Sequence, residues 1–169
     1  MNRTALGSRN PPVKTFPMIK YSAFLFALTV GLASAAAAAE PPPTEVILLN
    51  RPQVDAAFAK GMPMLVNRSF KIQAGRRITA PGQVEVHERD TDIFYVTEGT
   101  ATIVTGGKTT GAKTSGPGEI RGDTITGGTK RRLEKGDVLV IPHGTPHWFT
   151  EVSNPFLYLV VKVTAGATD

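Results

Sequence analysis

The segment from Gly136 to His147 (GDVLVIPHGTPH) constrains the fold of this chain more than any other. Gly136 turns the chain into the four apolar residues VLVI, which are typical of a buried strand. Pro142 and Gly144 then favour a tight turn, because proline fixes φ and glycine tolerates backbone conformations that other residues avoid. His147 begins the next strand, where its side chain can point inward. We therefore expect two strands joined by a tight turn, with a histidine at the start of the second strand.

Short β-rich runs continue through most of the chain after residue 63. Their polar and apolar residues alternate with a period of two, as in strands with one buried face. Residues Thr97–Gly99 separate two of these runs and predict a hairpin. Eight or nine such strands indicate an all-β fold, an antiparallel barrel or jelly roll. The runs are Leu65–Ile72, Gln83–His87, Ile93–Val96, Ala101–Val104, Glu119–Ile120, Thr124–Thr126, Val138–Ile141, His147–Val152 and Phe156–Val163.

Residues 40–63 precede these strands and predict a linker followed by one short helix. The first residues of this part are rich in proline. In Arg51–Lys60, the residues Val54, Ala57 and Phe58 fall on one helical face, and Gly61 ends the pattern.

Residues 1–39 have the organisation of an export signal. Tyr21–Leu32 is an uncharged apolar run that follows Lys14 and Lys20 and precedes small residues ending at Ala39. This order is typical of a secretory signal peptide, and the run is shorter than the roughly 20 residues that span a bilayer. An uncleaved membrane anchor is the alternative, and Met18 is a second possible start of translation. We expect a periplasmic or secreted protein, with no membrane association after cleavage.

Charge and cysteine content exclude several classes of site. Four of the 19 basic residues and no acidic residue lie in the first 39 positions, which leaves 15 basic against 14 acidic residues in the rest. Because Lys130–Arg132 is the only basic cluster there, we expect no nucleic-acid partner. The chain has no cysteine, which excludes disulfides and thiolate metal ligands.

The Gly136–His147 segment resembles the second sequence motif of the cupin family, G-x5-P-x-G-x2-H-x3-N. The first four fixed positions match, and Glu151 stands where the family has asparagine. This resemblance implies a cupin double-stranded β-helix, or jelly-roll barrel, over residues 64–169, with a short N-terminal helix after the signal peptide. It also implies that His147 is a metal ligand.

The first cupin motif, G-x5-H-x-H-x3-4-E-x6-G, is matched less completely. Gly99 closes it, and Asp92 takes the place of its glutamate. With a spacer of four residues between the second histidine position and the acidic position, Glu85 and His87 occupy the two histidine positions. With a shorter spacer, His87 and Arg89 occupy them, and the sequence does not decide between the two alignments.

Under both alignments the resemblance implies a divalent metal held by His87, Asp92 and His147. Glu85 is the fourth candidate ligand, because alternate residues of a strand point to the same face. Two histidines and a carboxylate suit iron and also tolerate zinc or manganese. The alternatives are that His87 only forms hydrogen bonds, that Asp92 belongs to a turn and that Glu85 pairs with an arginine.

Arg89 and Tyr95 are candidates for contact with a substrate. An Arg89 that faces the barrel would bind an anionic substrate or neutralise Asp92, and neutralisation would abolish the metal site. Alternatively, Arg89 lies on the surface. We expect His143 to be exposed and Trp148 to face away from His147. Aromatic residues otherwise belong to the core: Tyr95, Phe149, Phe156 and Tyr158.

Because one fold hosts many functions, the resemblance leaves three functional hypotheses. The first is a metal-dependent enzyme, an oxygenase or isomerase that acts on a small polar molecule. The second is a non-enzymatic module that binds or senses a small molecule, with a structural metal or none. The third is a structural dimer with a vestigial barrel. Similarity to other small cupins implies a homodimer.

Overall fold

A computed structural model of the protein describes residues 40–166, so the predicted signal peptide lies outside the described residues. Within this range there is one helix, α1 (Arg51–Lys60), and none of the described residues forms a helix long and apolar enough to cross a membrane. The strands are β1 (Pro63–Val66), β2 (Phe70–Arg77), β3 (Val84–His87), β4 (Asp90–Glu98), β5 (Thr100–Thr105), β6 (Lys108–Thr110), β7 (Lys113–Gly116), β8 (Glu119–Gly122), β9 (Thr124–Thr126), β10 (Thr129–Glu134), β11 (Val138–Ile141), β12 (His147–Val152) and β13 (Phe156–Thr164).

The predicted helix is confirmed, and both of its ends follow from local chemistry. The side chain of Asn50 accepts a hydrogen bond from the backbone N–H of Gln53, whose own side chain accepts one from the Asn50 backbone. This reciprocal pair satisfies backbone donors at the start of the helix that have no partner within it. Gly61 ends the helix with a φ of +67°, a conformation that glycine adopts without strain.

Two sheets form the predicted barrel, which is therefore confirmed. One has five strands in the order β1-β2-β13-β4-β11, and the other has six in the order β10-β5-β12-β3-β8-β7. All of the pairs between neighbouring strands are antiparallel. The long strands β4 and β13 pair over most of their length and form the centre of the five-stranded sheet.

The predicted hairpin at Thr97–Gly99 is wrong, because β4 and β5 belong to different sheets. β4 pairs with β11 and β13, whereas β5 pairs with β10 and β12. Gly99 carries the chain from one sheet to the other with a φ of +78°. A side chain there would collide with Ser153, so the crossing requires glycine both for its conformation and for its size.

The glycine-rich stretch between β5 and β10 contains more strand than the sequence predicts. β8 pairs with β3 and β7 and thereby widens the six-stranded sheet, while β6 and β9 form a separate two-stranded sheet. The pairing of β8 with β3 has a functional consequence, because it places Glu119 opposite His87.

The apolar core lies between the two sheets. Phe149, Phe156 and Tyr158 are buried there, as predicted. Tyr95 is not, because it is 47% exposed and points away from the core between the buried Phe94 and Val96. The assignment of Tyr95 to the core is therefore wrong. The remaining buried members of the cluster are Ala101, Ile103, Leu133, Ile141 and Val160.

Candidate metal centre

Four strands bring ionisable side chains together at one end of the barrel interior. His87 ends β3, Asp92 belongs to β4, His147 begins β12 and Lys162 lies near the end of β13. All four residues are buried: His147 and Asp92 are 2% exposed, His87 is 4% and Lys162 is 8%. The strand register supports the cluster, since His147 lies opposite Glu85 and Lys162 lies opposite Asp92.

The imidazole of His87 is held at both nitrogens. Its Nδ1 lies 2.8 Å from a carboxylate oxygen of Glu119, and its Nε2 lies 2.8 Å from Nζ of Lys162. A carboxylate only accepts hydrogen bonds and an ammonium only donates them. Nδ1 therefore carries the proton, and the lone pair of Nε2 points into the cluster.

The imidazole of His147 has the same orientation by a different means. Its Nδ1 lies 3.2 Å from the backbone carbonyl of Thr145, which can only accept a hydrogen bond. Nε2 therefore bears the lone pair, and it faces Oδ2 of Asp92 at 3.9 Å. Burial lowers the pKa of His147, which favours the neutral imidazole that a metal requires.

The possible ligand atoms lie close enough together to hold one ion. Single ligand atoms of Glu85, His87 and His147 all lie within 4.8 Å of one another. In addition, His87 Nε2 lies 3.4 Å from Asp92 Oδ2 and 3.7 Å from Glu85 Oε2. Ligands that bind a metal at 2.0 to 2.2 Å stand roughly 3 to 3.5 Å apart, so movements of about 1 Å would bring these ligand atoms to that spacing. The donor set fits a divalent metal.

Glu85 also has competing partners, as one of the alternatives for this residue predicts. Its carboxylate accepts a hydrogen bond of 2.8 Å from Arg77 and lies 3.7 Å from Arg121. Burial alone would raise the pKa of Glu85, but the charged neighbours, of which Arg77 has the largest effect, together outweigh burial and lower the pKa. The carboxylate is therefore ionised, as a ligand must be.

Lys162 is the member of the cluster that the sequence analysis missed. Its Nζ donates to both carboxylate oxygens of Asp92, at 2.7 and 2.8 Å. A signal was present in the sequence, because the inward-facing residues of the last strand are Phe156, Tyr158, Val160 and then Lys162. Extending that alternation by one step would have placed a lysine inside the barrel.

The neutralisation of Asp92, which is one of the alternatives considered for Arg89, therefore occurs through Lys162. The Arg89 side chain is exposed and donates to the backbone carbonyl of Ala165 at 3.0 Å, so the surface alternative holds for this residue. Burial would raise the pKa of Asp92, but the neighbouring His87 and the charge of Lys162 lower it. Asp92 is an ionised carboxylate that already has a cation.

The structure places the two substrate candidates outside this cluster. Arg89 lines an outer cleft of about 640 Å³, and Tyr95 lies on the outer face of β4. A second cleft of about 390 Å³ gives access to His87 and Lys162 at the barrel mouth. The two clefts share Lys71 and Glu119 in their walls, so they adjoin one another.

Two residues of the second motif have the predicted positions beside the centre. His143 is exposed in the turn before β12. Trp148 faces away from His147, and its indole N–H donates to the backbone carbonyl of Gly82 at 2.6 Å. Of the three histidines of the chain, His87 and His147 thus belong to the centre, and His143 provides a natural control.

Comparison with known families agrees with this geometry. The model of the family described as Cupin matches residues 39–169. The chain belongs to the cupin family. Among curated proteins, none matches the sequence significantly.

Solved structures resemble this cupin in fold but share little sequence with it. A protein of Bacillus halodurans is 12% identical, with 77% of this chain and 89% of that chain covered and a TM-score of 0.52. An uncharacterized protein of Klebsiella pneumoniae with a double-stranded β-helix domain is 17% identical over 73% and 95% of the chains, at 0.49. The DMSP lyase DddQ of Ruegeria pomeroyi is 19% identical over 61% and 42%, at 0.41. At such identities the comparisons show the fold alone.

Proposed function

We propose that this cupin binds one divalent metal through His87, His147 and Glu85, with Asp92 beside them, and uses it in a reaction of a small polar molecule. One observation carries the proposal: both buried imidazoles are fixed at Nδ1, so both Nε2 lone pairs point into one cluster of carboxylates. In each ring an outer partner holds Nδ1 and leaves Nε2 on the side of the carboxylates, which is how metal-ligating histidines are usually oriented.

The residues around the cluster have separate tasks in this proposal. Glu119 and the carbonyl of Thr145 orient the two imidazoles, as outer hydrogen-bond partners do at metal sites. Arg77 keeps Glu85 ionised. Iron, manganese or zinc would supply a Lewis acid that polarises an oxygen of the bound molecule. The enzyme classes that we favour are the oxygenases and the isomerases.

We infer that arginines in the two clefts contact an anionic group of the substrate, beside carboxylates that line the same clefts. The barrel-mouth cleft is lined by Arg121, whose guanidinium contacts Glu119 at 3.1 Å, and it adjoins the outer cleft that contains Arg89. Guanidinium groups bind carboxylates through paired hydrogen bonds. We therefore assign Arg121 to the binding of the substrate near the metal and Arg89 to its approach, and we assign no role to Tyr95.

The second hypothesis, a non-enzymatic binding module, also has an observation in its favour. The Asp92 carboxylate already pairs with Lys162, so the barrel is electrostatically balanced at that position without a metal. A molecule bound in the cleft would then contact the charged side chains directly. The metal content of the protein distinguishes these two functions.

The test is a metal analysis of protein purified without a histidine tag, with His147→Ala as the variant and His143→Ala as the matched control. We expect about one metal per chain in the wild type and in the control, and a loss of metal in His147→Ala. Substoichiometric metal that His147→Ala leaves unchanged would refute metal-dependent function. Thermal shifts with small acids and sugars would then identify a binding module, because a ligand stabilises the folded state.

We also propose, from the sequence, that the protein is exported and forms a homodimer. Detection of mature protein in the periplasmic fraction or the medium tests the first proposal. Light scattering of the purified protein tests the second, and a monomeric mass would contradict it.

A further inference from the structure

The ammonium of Lys162 occupies a position that a metal ion would need. Its three hydrogen bonds, of 2.7 to 2.8 Å, go to Oδ1 and Oδ2 of Asp92 and to Nε2 of His87. An ammonium has three N–H donors, so these contacts use all of them. Lys162 thus binds the cluster much as a small cation does.

A metal and Lys162 cannot use the same lone pair. Nε2 of a neutral imidazole has one lone pair, and Lys162 already uses that of His87. The two oxygens of Asp92 are likewise directed at the ammonium. A metal that binds through His87 must therefore displace Lys162.

The charges of the cluster lead to the same conclusion. Each of its three carboxylates has a basic partner: Asp92 contacts Lys162, Glu85 contacts Arg77, and Glu119 contacts Arg121. Since these pairs balance, an added divalent ion would leave two excess positive charges in a buried site, and departure of Lys162 would reduce that excess to one.

We propose that Lys162 is an internal competitor for the metal, a residue that sets the affinity and selectivity of the centre by occupying its His87–Asp92 side. This inference rests on the proposed metal-binding function. The lysine has somewhere to move, because it lines the barrel-mouth cleft. Metals that bind strongly enough to displace it would load, and weaker ones would not.

The experiment compares the affinities of Mn²⁺ and Zn²⁺, measured by competition with a chromophoric chelator, for the wild type and three variants. Lys162→Met removes the competitor. The double variant Asp92→Asn/Lys162→Met also removes the carboxylate that Lys162 neutralises, so it avoids the unpaired buried charge that would destabilise the single variant. Lys71→Met is the matched control, because Lys71 forms a similar ion pair with Asp90 outside the cluster.

We expect Lys162→Met to bind metal roughly 10- to 100-fold more tightly than the wild type, the range that nearby changes produce at metal sites. The double variant should also gain affinity, but less, because it lacks the Asp92 carboxylate. Lys71→Met should bind as the wild type does. The metal-induced rise in melting temperature should also be larger in the Lys162 variants.

Two results would overturn the inference in different ways. If the wild type binds metal and the Lys162 variants bind it equally or more weakly, Lys162 is not a competitor and the proposed function stands. If none of the proteins binds metal, the proposed function fails and the inference fails with it. Binding only after removal of Lys162 would support the inference and show that the lysine excludes the metal.

Discussion

The two ends of the barrel interior are built by the same strands but have opposite chemistry. On β4 the inward-facing residue Asp92 is followed two positions later by the inward-facing Phe94. On β12, His147 is followed in the same way by Phe149. β13 makes the same change from Lys162 to Val160. Because adjacent inward positions share one strand, the packed apolar end fixes the backbone positions from which the polar side chains extend.

The two ends also contribute to stability in different ways. Phe149 and Phe156 stabilise the fold by leaving water, and their rings lie 5.6 Å apart. Asp92 and Lys162 have lost their hydration, and the attraction between them only offsets that cost. The apolar end should therefore tolerate no loss of volume, whereas the polar end should tolerate the removal of a matched pair.

The largest effect is expected from Phe156→Ala at the apolar end. Phe156 is 0% exposed, so its truncation leaves a cavity and should lower the free energy of unfolding by about 3 to 5 kcal/mol. Denaturant unfolding measures this. Tyr95→Ala, on the outer face of β4, is the control and should cost less than about 1 kcal/mol. Equal losses in the two variants would contradict the placement of the core.

At the polar end, Asp92→Asn should destabilise the fold by about 3 kcal/mol, because it leaves the Lys162 ammonium buried without a countercharge. Adding Lys162→Met to Asp92→Asn should recover most of the lost free energy of unfolding, since the unpaired charge is then removed. The four proteins of this double-mutant cycle are compared by denaturant unfolding. Additive losses would mean that the two side chains do not form the ion pair described here.

The smallest effect is expected at the rim of the polar end, where Lys71 contacts Asp90 at 2.7 Å. Burial would raise the pKa of Asp90, but hydrogen bonds from Lys71 and Thr164 lower it. A lowered folded pKa gives stability that is present above the unfolded value of about 3.9 and is lost as the pH falls through the folded value.

Lys71→Met should therefore lower the free energy of unfolding by about 1 kcal/mol at pH 7. The value is modest because solvent screens the partly exposed lysine. The difference from the wild type should vanish in strong acid. Unfolding curves collected from pH 7 to pH 2 measure it. A difference that stays constant with pH would assign the effect to packing and not to the ion pair.

Much of the fold could be predicted from the sequence, because local patterns carry it. The capped helix ends at Gly61, and the alternation of Phe156, Tyr158 and Val160 identifies an inward-facing row. The motif residues His87 and His147 lie together in the structure, as the resemblance to the cupin family implies. The helix end and the inward-facing row depend on backbone geometry over a few residues, which a single sequence records.

The features that the sequence did not predict depend on contacts between distant strands. Glu119 reaches His87 only because β8 pairs with β3, and Lys162 reaches Asp92 only because β13 pairs with β4. The crossing at Gly99 was mistaken for a hairpin because a turn between two strands has the same local pattern whether or not the strands pair.

The central claim, that Nε2 of both buried histidines faces one metal site, is tested most directly by ¹⁵N NMR of the three imidazoles during a zinc titration. We predict that His87 and His147 carry their proton on Nδ1 before zinc is added. Zinc should then shift the Nε2 resonances of both residues together and leave those of His143 unchanged. Protonated Nε2 atoms at neutral pH, or a zinc response confined to His143, would contradict it.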